Sequence, residues 1–256
     1  MKKAFTLIEL LVVVAIVATL LALLMPAVSR AKVSSARAIS AHSLMQLNVA
    51  GRLYLNDHDN YFWPYEQIVP GKGAQWWFGF ETSASLKAPE GQRTCDYSQG
   101  PLGPYAITAG GVKEDPAFLQ YPHLKLKYQD GNYGYGYNDL LATDLTKGTA
   151  ASHPAHNALQ VTHPSQLIVF ATCAQVNTFE LPASPGNPMI EEFYMVDNTQ
   201  VTAHFRHGNQ ALAAFLDGSV QSLSMATDMQ PGTQDMRMPS ANIGRFKDTY
   251  MTQPGW

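Results

Sequence analysis

Lys2-Lys3-Ala4-Phe5-Thr6-Leu7-Ile8-Glu9-Leu10-Leu11-Val12-Val13-Val14-Ala15-Ile16-Val17 opens the chain, and the apolar run it begins continues to about Val28. A helix needs about 20 apolar residues to cross the hydrocarbon of a bilayer, so residues 5–28 are long enough to span it. The run lacks the small-x-small site that ends a secretory signal and is longer than that signal's apolar region. Lys2 and Lys3 put Met1 in the cytoplasm and the remainder outside. A plain anchor gives no account of Glu9, because a carboxylate in lipid is costly and needs a partner.

These residues resemble the class III leader of type IV pilins and type II secretion pseudopilins. In that family a prepilin peptidase cuts before the Phe and methylates the new amino terminus. The resemblance implies a leader of residues 1–4, cleavage between Ala4 and Phe5, and N-methylation of Phe5. The family usually has Gly before the cut; Ala4 is the smallest alternative. It also implies that Glu9 and Pro26 serve assembly. The new Phe5 ammonium of one subunit and the Glu9 carboxylate of its neighbour would attract strongly in a low dielectric. Pro26 removes a helical hydrogen bond and clashes with the preceding turn. It either ends the helix or interrupts it, and the helix-forming composition that follows favours continuation.

Residues 29–56 read as a stalk helix. Val33, Ala36, Leu44, Leu47, Gly51 and Tyr54 fall near a 3.6-residue period, with Arg30, Lys32, Arg37 and Arg52 on other faces. Residues 57–256 are expected to form one extracytoplasmic globular head. Charged residues make up only 14% of the chain, and Gly (19) and Pro (16) are plentiful, which suggests a loop-rich exported domain. No basic patch marks a nucleic-acid partner. Asp57 and Asp59 offer oxygens for calcium, but the loop lacks the glycine of a calcium site, and a structural turn is the other reading. No other cofactor or metal is indicated. Cys95 and Cys173 permit one disulfide, or Cys173 is a buried thiol closing a strand. The aromatic runs at 75–80 and 133–137 read as packing or as stacking platforms, and Leu167–Thr172 as a buried strand.

His207 and Asp217-Gly218, nine residues apart, resemble the His-x9-Asp-Gly signature of a pilin-like family abundant in planctomycetes and related bacteria. Tyr135-Gly136-Tyr137-Asn138 resembles a stretch of the same family. The spacing predicts a turn at Gly208-Asn209, a strand over 211–216, a turn at Asp217-Gly218 and a return strand over 219–223. His207 and Asp217 then organise turns at opposite ends of one strand. His204 and His207 would point to opposite sides, which disfavours a zinc site. No nucleophile, phosphate-loop or paired-carboxylate motif appears, so no enzyme is expected.

The expected fold is α+β: a long N-terminal helix packed on an antiparallel sheet, with the hairpins over 201–223 central and the tail after Thr227 wrapping the surface as loops. The expected function is a structural subunit of a type II secretion-like pseudopilus or a type IV pilus-like filament. Its partners would be the prepilin peptidase, an inner-membrane assembly platform, and copies of itself or other pilins. The alternative is a membrane-anchored module that binds a secreted substrate or polysaccharide.

Overall fold

The computed structural model describes residues 7–108, 114–129, 134–142, 156–227 and 233–252. Ala4 and Phe5, the cleavage and methylation positions, lie outside them, as do Tyr133 and His153.

A single helix, α1 (Leu7–Asp57), holds 51 residues and is about 76 Å long at 1.5 Å per residue. It runs through Pro26 without a break, so the continuation favoured by composition is what the structure has. Up to Ser35 every described residue of α1 is exposed; burial begins at Ala36. The buried positions, Ala36, Ser40, Ser43, Leu44, Leu47, Asn48, Ala50, Gly51 and Leu55, follow one helical face. Five of the nine are Ala, Ser or Gly, which lets the helix backbone approach the head closely. Two assignments from periodicity need correcting. Val33 is 58% exposed, because the head begins one turn later. Arg37 and Arg52 do not point away, but reach over to the sheet.

After α1 come β1 (Glu66–Val69), β2 (Gly73–Trp76) and β3 (Gly79–Thr82), a three-stranded antiparallel sheet. A short helix α2 (Gly103–Thr108) packs on α1. The remaining strands are β4 (Leu124–Lys125), β5 (Tyr135–Asn138), β6 (Ile168–Thr172), β7 (Gln175–Asn177), β8 (Met189–Glu191), β9 (Met195–Val196), β10 (Ala203–His204), β11 (Gln210–Phe215), β12 (Val220–Ser224) and β13 (Ile243–Gly244). The main sheet has the order β12-β11-β6-β5-β9. It is antiparallel except for β9, which runs parallel to β5. The layout is α+β and pilin-like.

β6 is buried at every residue and takes the middle, as a strand apolar on both faces must. The β11–β12 hairpin forms with the expected partners, Ala211 opposite Leu223 and Ala214 opposite Val220. It lies at the sheet edge rather than the centre, because β12 carries Gln221, Ser222 and Ser224, which suit a solvated edge. The residues just before it do not join the main sheet; β10 pairs with β13 instead.

Side chains of β11 alternate between two cores. Leu212 and Ala214 face α1; Ala211, Ala213 and Phe215 face the opposite layer. That layer includes the C-terminal tail, which is not merely a surface wrap: Ile243, Phe246 and Met251 are buried. Apolar residues spaced among polar ones there gave no periodic signal. Tyr135 and Tyr137 are fully buried and pack rather than form a platform. Trp63 stacks on Tyr137 at 4.8 Å and on Phe170 at 5.6 Å between ring centroids. Trp77 and Phe78 are also core residues.

Cys95 and Cys173 are both buried, and neither is in a disulfide. They belong to different hydrophobic clusters on the two sides of the main sheet, so the permitted disulfide does not form.

The tightest approach of α1 to the head is at Gly51. A Cβ there would sit 2.7 Å from a ring carbon of Trp63, whose ring is stacked on Tyr137 and Phe170. Alanine is intrinsically better than glycine in a helix by about 1 kcal/mol. Overpacking against a wedged ring costs about 1–3 kcal/mol. Gly51→Ala is therefore expected to lower the Tm of the detergent-solubilised chain. A higher Tm would mean that helix propensity, not this contact, governs the position.

Candidate assembly interface

α1 presents two unlike halves. From Leu7 to Met25 its large apolar side chains stand exposed all round, with Leu7 at 79% and Leu20 at 62%. Such a helix is stable in water only if something apolar covers it, and it is long enough to cross a membrane. Glu9, in its first described turn, is the one acidic residue of that stretch. The second half is fixed to the head by polar contacts as well as packing.

One of these contacts reaches a buried ion pair within the head. Arg206 donates from Nε and Nη2 to Asp115 Oδ2, each at 2.8 Å, and neither side chain is exposed. The remaining valences are filled. Ser40 of α1 donates to Asp115 Oδ1 at 2.8 Å, and the backbone N–H of Ala117 donates to the same oxygen at 2.9 Å. Arg206 also donates to the carbonyls of Gly134 and Cys173 and to His204 Nδ1. The ring of Phe118 lies beneath its guanidinium at 5.0 Å. Burial alone would push the Asp115 carboxyl up; Arg206, then His207 and Ser40, outweigh it and hold the group well below the usual carboxylate range. Burial, followed by the neighbouring Arg206 charge, drives His204 far below the ordinary imidazole range, so it is neutral.

The sequence-predicted motif residues take their meaning from this frame. His207 is buried with Nε2 at 3.6 Å from Asp115 Oδ2, too long for a hydrogen bond but close in charge terms. Gly208 and Asn209 turn with φ of 67° and 62°. At the other end Asp217 accepts the Ser219 N–H, and Gly218 has φ 97°. The Asp217 carbonyl accepts from Arg52 of α1 at 3.0 Å, and the Phe215 carbonyl accepts from Asn48 at 2.7 Å. The nine-residue spacing thus brackets β11, and both ends are tied to α1. His204 and His207 do not face opposite ways, as a regular strand would require; the chain leaves β10 after His204, and both border the Asp115–Arg206 pair. Asp115, Ser40 and Arg206 were not singled out from sequence. Arg206 directly before the motif histidine was the available signal.

Asp57 accepts the Tyr105 hydroxyl at 3.0 Å, and Asp59 and Asn60 turn through positive φ, which gives this segment a structural task. Among the described residues no three His, Cys, Asp or Glu side chains converge to hold a metal ion.

A second buried carboxylate behaves differently. Glu192 accepts the backbone N–H groups of Lys127 at 2.6 Å and Tyr128 at 3.3 Å through Oε1, while Oε2 has no hydrogen bond. Burial pushes its pKa up to about 7.

An exposed apolar half-helix, long enough to cross a membrane and continuing into a half-helix seated on a sheet, is a pilin-like layout. Residues 1–25 match the family model described as the prokaryotic N-terminal methylation motif. This prepilin-type motif implies processing by prepilin peptidase and assembly with other pilins, and the proteins that carry it are structural rather than enzymatic. No curated protein and no solved structure matches the chain.

Breaking a buried pair leaves an uncompensated charge and costs about 3–5 kcal/mol. Arg206→Met is expected to lose about that much in chemical denaturation, and Arg206→Met with Asp115→Leu to recover part of it. Equal losses would show that Arg206 acts through packing alone.

The pH dependence has a definite sign. A carboxyl raised from 4.5 to about 7 in the fold holds its proton where the unfolded chain has released it. Its stabilising contribution is complete below about 4.5 and lost as pH rises to about 7, a span of roughly 3 kcal/mol. Glu192→Gln should flatten this part of the stability profile; an unchanged slope would remove Glu192 as its source.

Proposed function

We propose that the chain is a structural subunit of a type II secretion-like pseudopilus or a type IV pilus-like filament, assembled through α1. The observation that carries this reading is the match of residues 1–25 to the N-terminal methylation motif, continuous with an apolar half-helix that the head leaves uncovered. Prepilin peptidase cuts between Ala4 and Phe5 and methylates the Phe5 amine. Glu9 pairs with the Phe5 amine of a neighbouring subunit, which offsets the cost of its burial and sets the axial register. The N-terminus faces the cytoplasm before cleavage, the helix crosses the inner membrane once, and the head lies outside. An inner-membrane platform and sister pilins are the remaining partners. Pro26, whose ring denies the Ala22 carbonyl a helical partner, gives α1 a place to adjust during assembly. The hairpin bracketed by His207 and Asp217-Gly218 supports membership of the His-x9-Asp-Gly pilin-like group.

The mass of the N-terminal peptide from native membranes tests the processing. A chain beginning at Phe5 with one added methyl is expected. A chain beginning at Met1 would leave the amine partner of Glu9 missing and favour a static membrane-anchored binding protein. Glu9→Val should insert normally and fail to assemble, as read by filament pelleting; normal filaments from that variant would refute the pairing.

A further inference from the structure

We infer that the junction between α1 and the head holds the headgroup of an anionic phospholipid. This goes beyond the filament reading and rests only on α1 crossing the membrane.

Two grooves meet there. The lower lies along α1 and is lined by Leu21, Leu24, Met25 and Val28, with Ser29 and Lys32 at its upper end. The upper, of about 370 Å³, lies between α1 and the turn after His207, and is lined by Ser29, Arg30, Val33, Ser34, Arg37 and His207. Ser29 borders both, so the apolar surface at the end of the membrane-spanning stretch adjoins a cationic pocket. That order matches a phospholipid, with a chain below and a phosphate above.

The charges fit the same occupant. Among the described residues no acidic side chain lines either groove. Among the described residues Arg30 and Lys32 have no acidic partner. Arg37 donates to Ser222 and Gln210, which are neutral and leave its charge uncompensated. His207 lines the upper groove with its Nε2 turned toward Asp115, 3.6 Å away. Arg30 lies two residues beyond Val28, about 3 Å further along the axis, and so at headgroup level when Leu7–Val28 spans the hydrocarbon. Each Lys or Arg near an anionic bilayer surface adds about 1 kcal/mol of attraction.

The test is native mass spectrometry of the full chain in detergent, titrated with phosphatidylglycerol, with phosphatidylcholine, and with inorganic phosphate. Retention of phosphatidylglycerol well above phosphatidylcholine is expected, with phosphate alone not retained. Arg30→Gln should weaken phosphatidylglycerol binding about fivefold. Ser34→Trp fills the pocket without removing charge and should abolish the preference, while Lys87→Gln, on the head surface, should leave it intact. Equal retention of the two lipids, retention of phosphate alone, or full binding by both Arg30→Gln and Ser34→Trp would overturn the assignment. So would lipid-free dimers that Ser34→Trp disperses, since a second copy would then be the occupant. None of these readouts requires cleavage at Ala4 or filament formation.

Discussion

The Arg206–Asp115 pair sets the seat on which α1 rests. Hydrophobic packing holds α1 to the sheet and discriminates between registers where the fit is close, as at Gly51 on Trp63. The buried carboxylate adds a polar constraint, because sliding α1 by a turn would withdraw the Ser40 hydroxyl from Asp115 and leave a buried charge one hydrogen bond short. The pair collects Ser40 from α1, the carbonyls that end two neighbouring strands, and the histidine that opens the turn to β11. Asn48 and Arg52 then fix the far end of the same strand. The register of α1 against β11 is thereby set at two points, on a helix whose described residues up to Ser35 are all exposed.

That division of labour is how a rod with no internal support in its lower half can still present the head in a defined orientation. Pro26 lies ten residues before burial begins, so any bending at its missing hydrogen bond is confined to the uncovered part. The Gly51–Trp63 contact anchors the upper part, where the helix backbone comes closest to stacked aromatic rings.

The elements legible in the sequence were those with a local cause. α1 followed from composition, β6 from an unbroken apolar run, and the β11–β12 hairpin from turn residues that need positive φ. The order of strands in the sheet was not legible, since it depends on which strand tolerates solvent on one edge. The tail was misread because Ile243, Phe246 and Met251 are isolated apolar residues whose burial depends on a partner far away in sequence. At the site, the leader residues and Glu9 stood out against apolar surroundings. Asp115 did not: its role exists only because the fold brings residues 40, 115 and 206 together, and no spacing along the chain encodes that.

The two cysteines carry a consequence of their own. Each thiol is closed off inside a separate core, and burial pushes that of Cys173 far above its ordinary range, so Cys173 offers no reactive thiolate. The head therefore owes none of its cohesion to a disulfide. The same seclusion makes the sulfurs clocks. A thiol reagent can reach Cys95 only when the α1-side core opens and Cys173 only when the opposite layer does, so their labelling rates time the breathing of the two sides of the sheet independently.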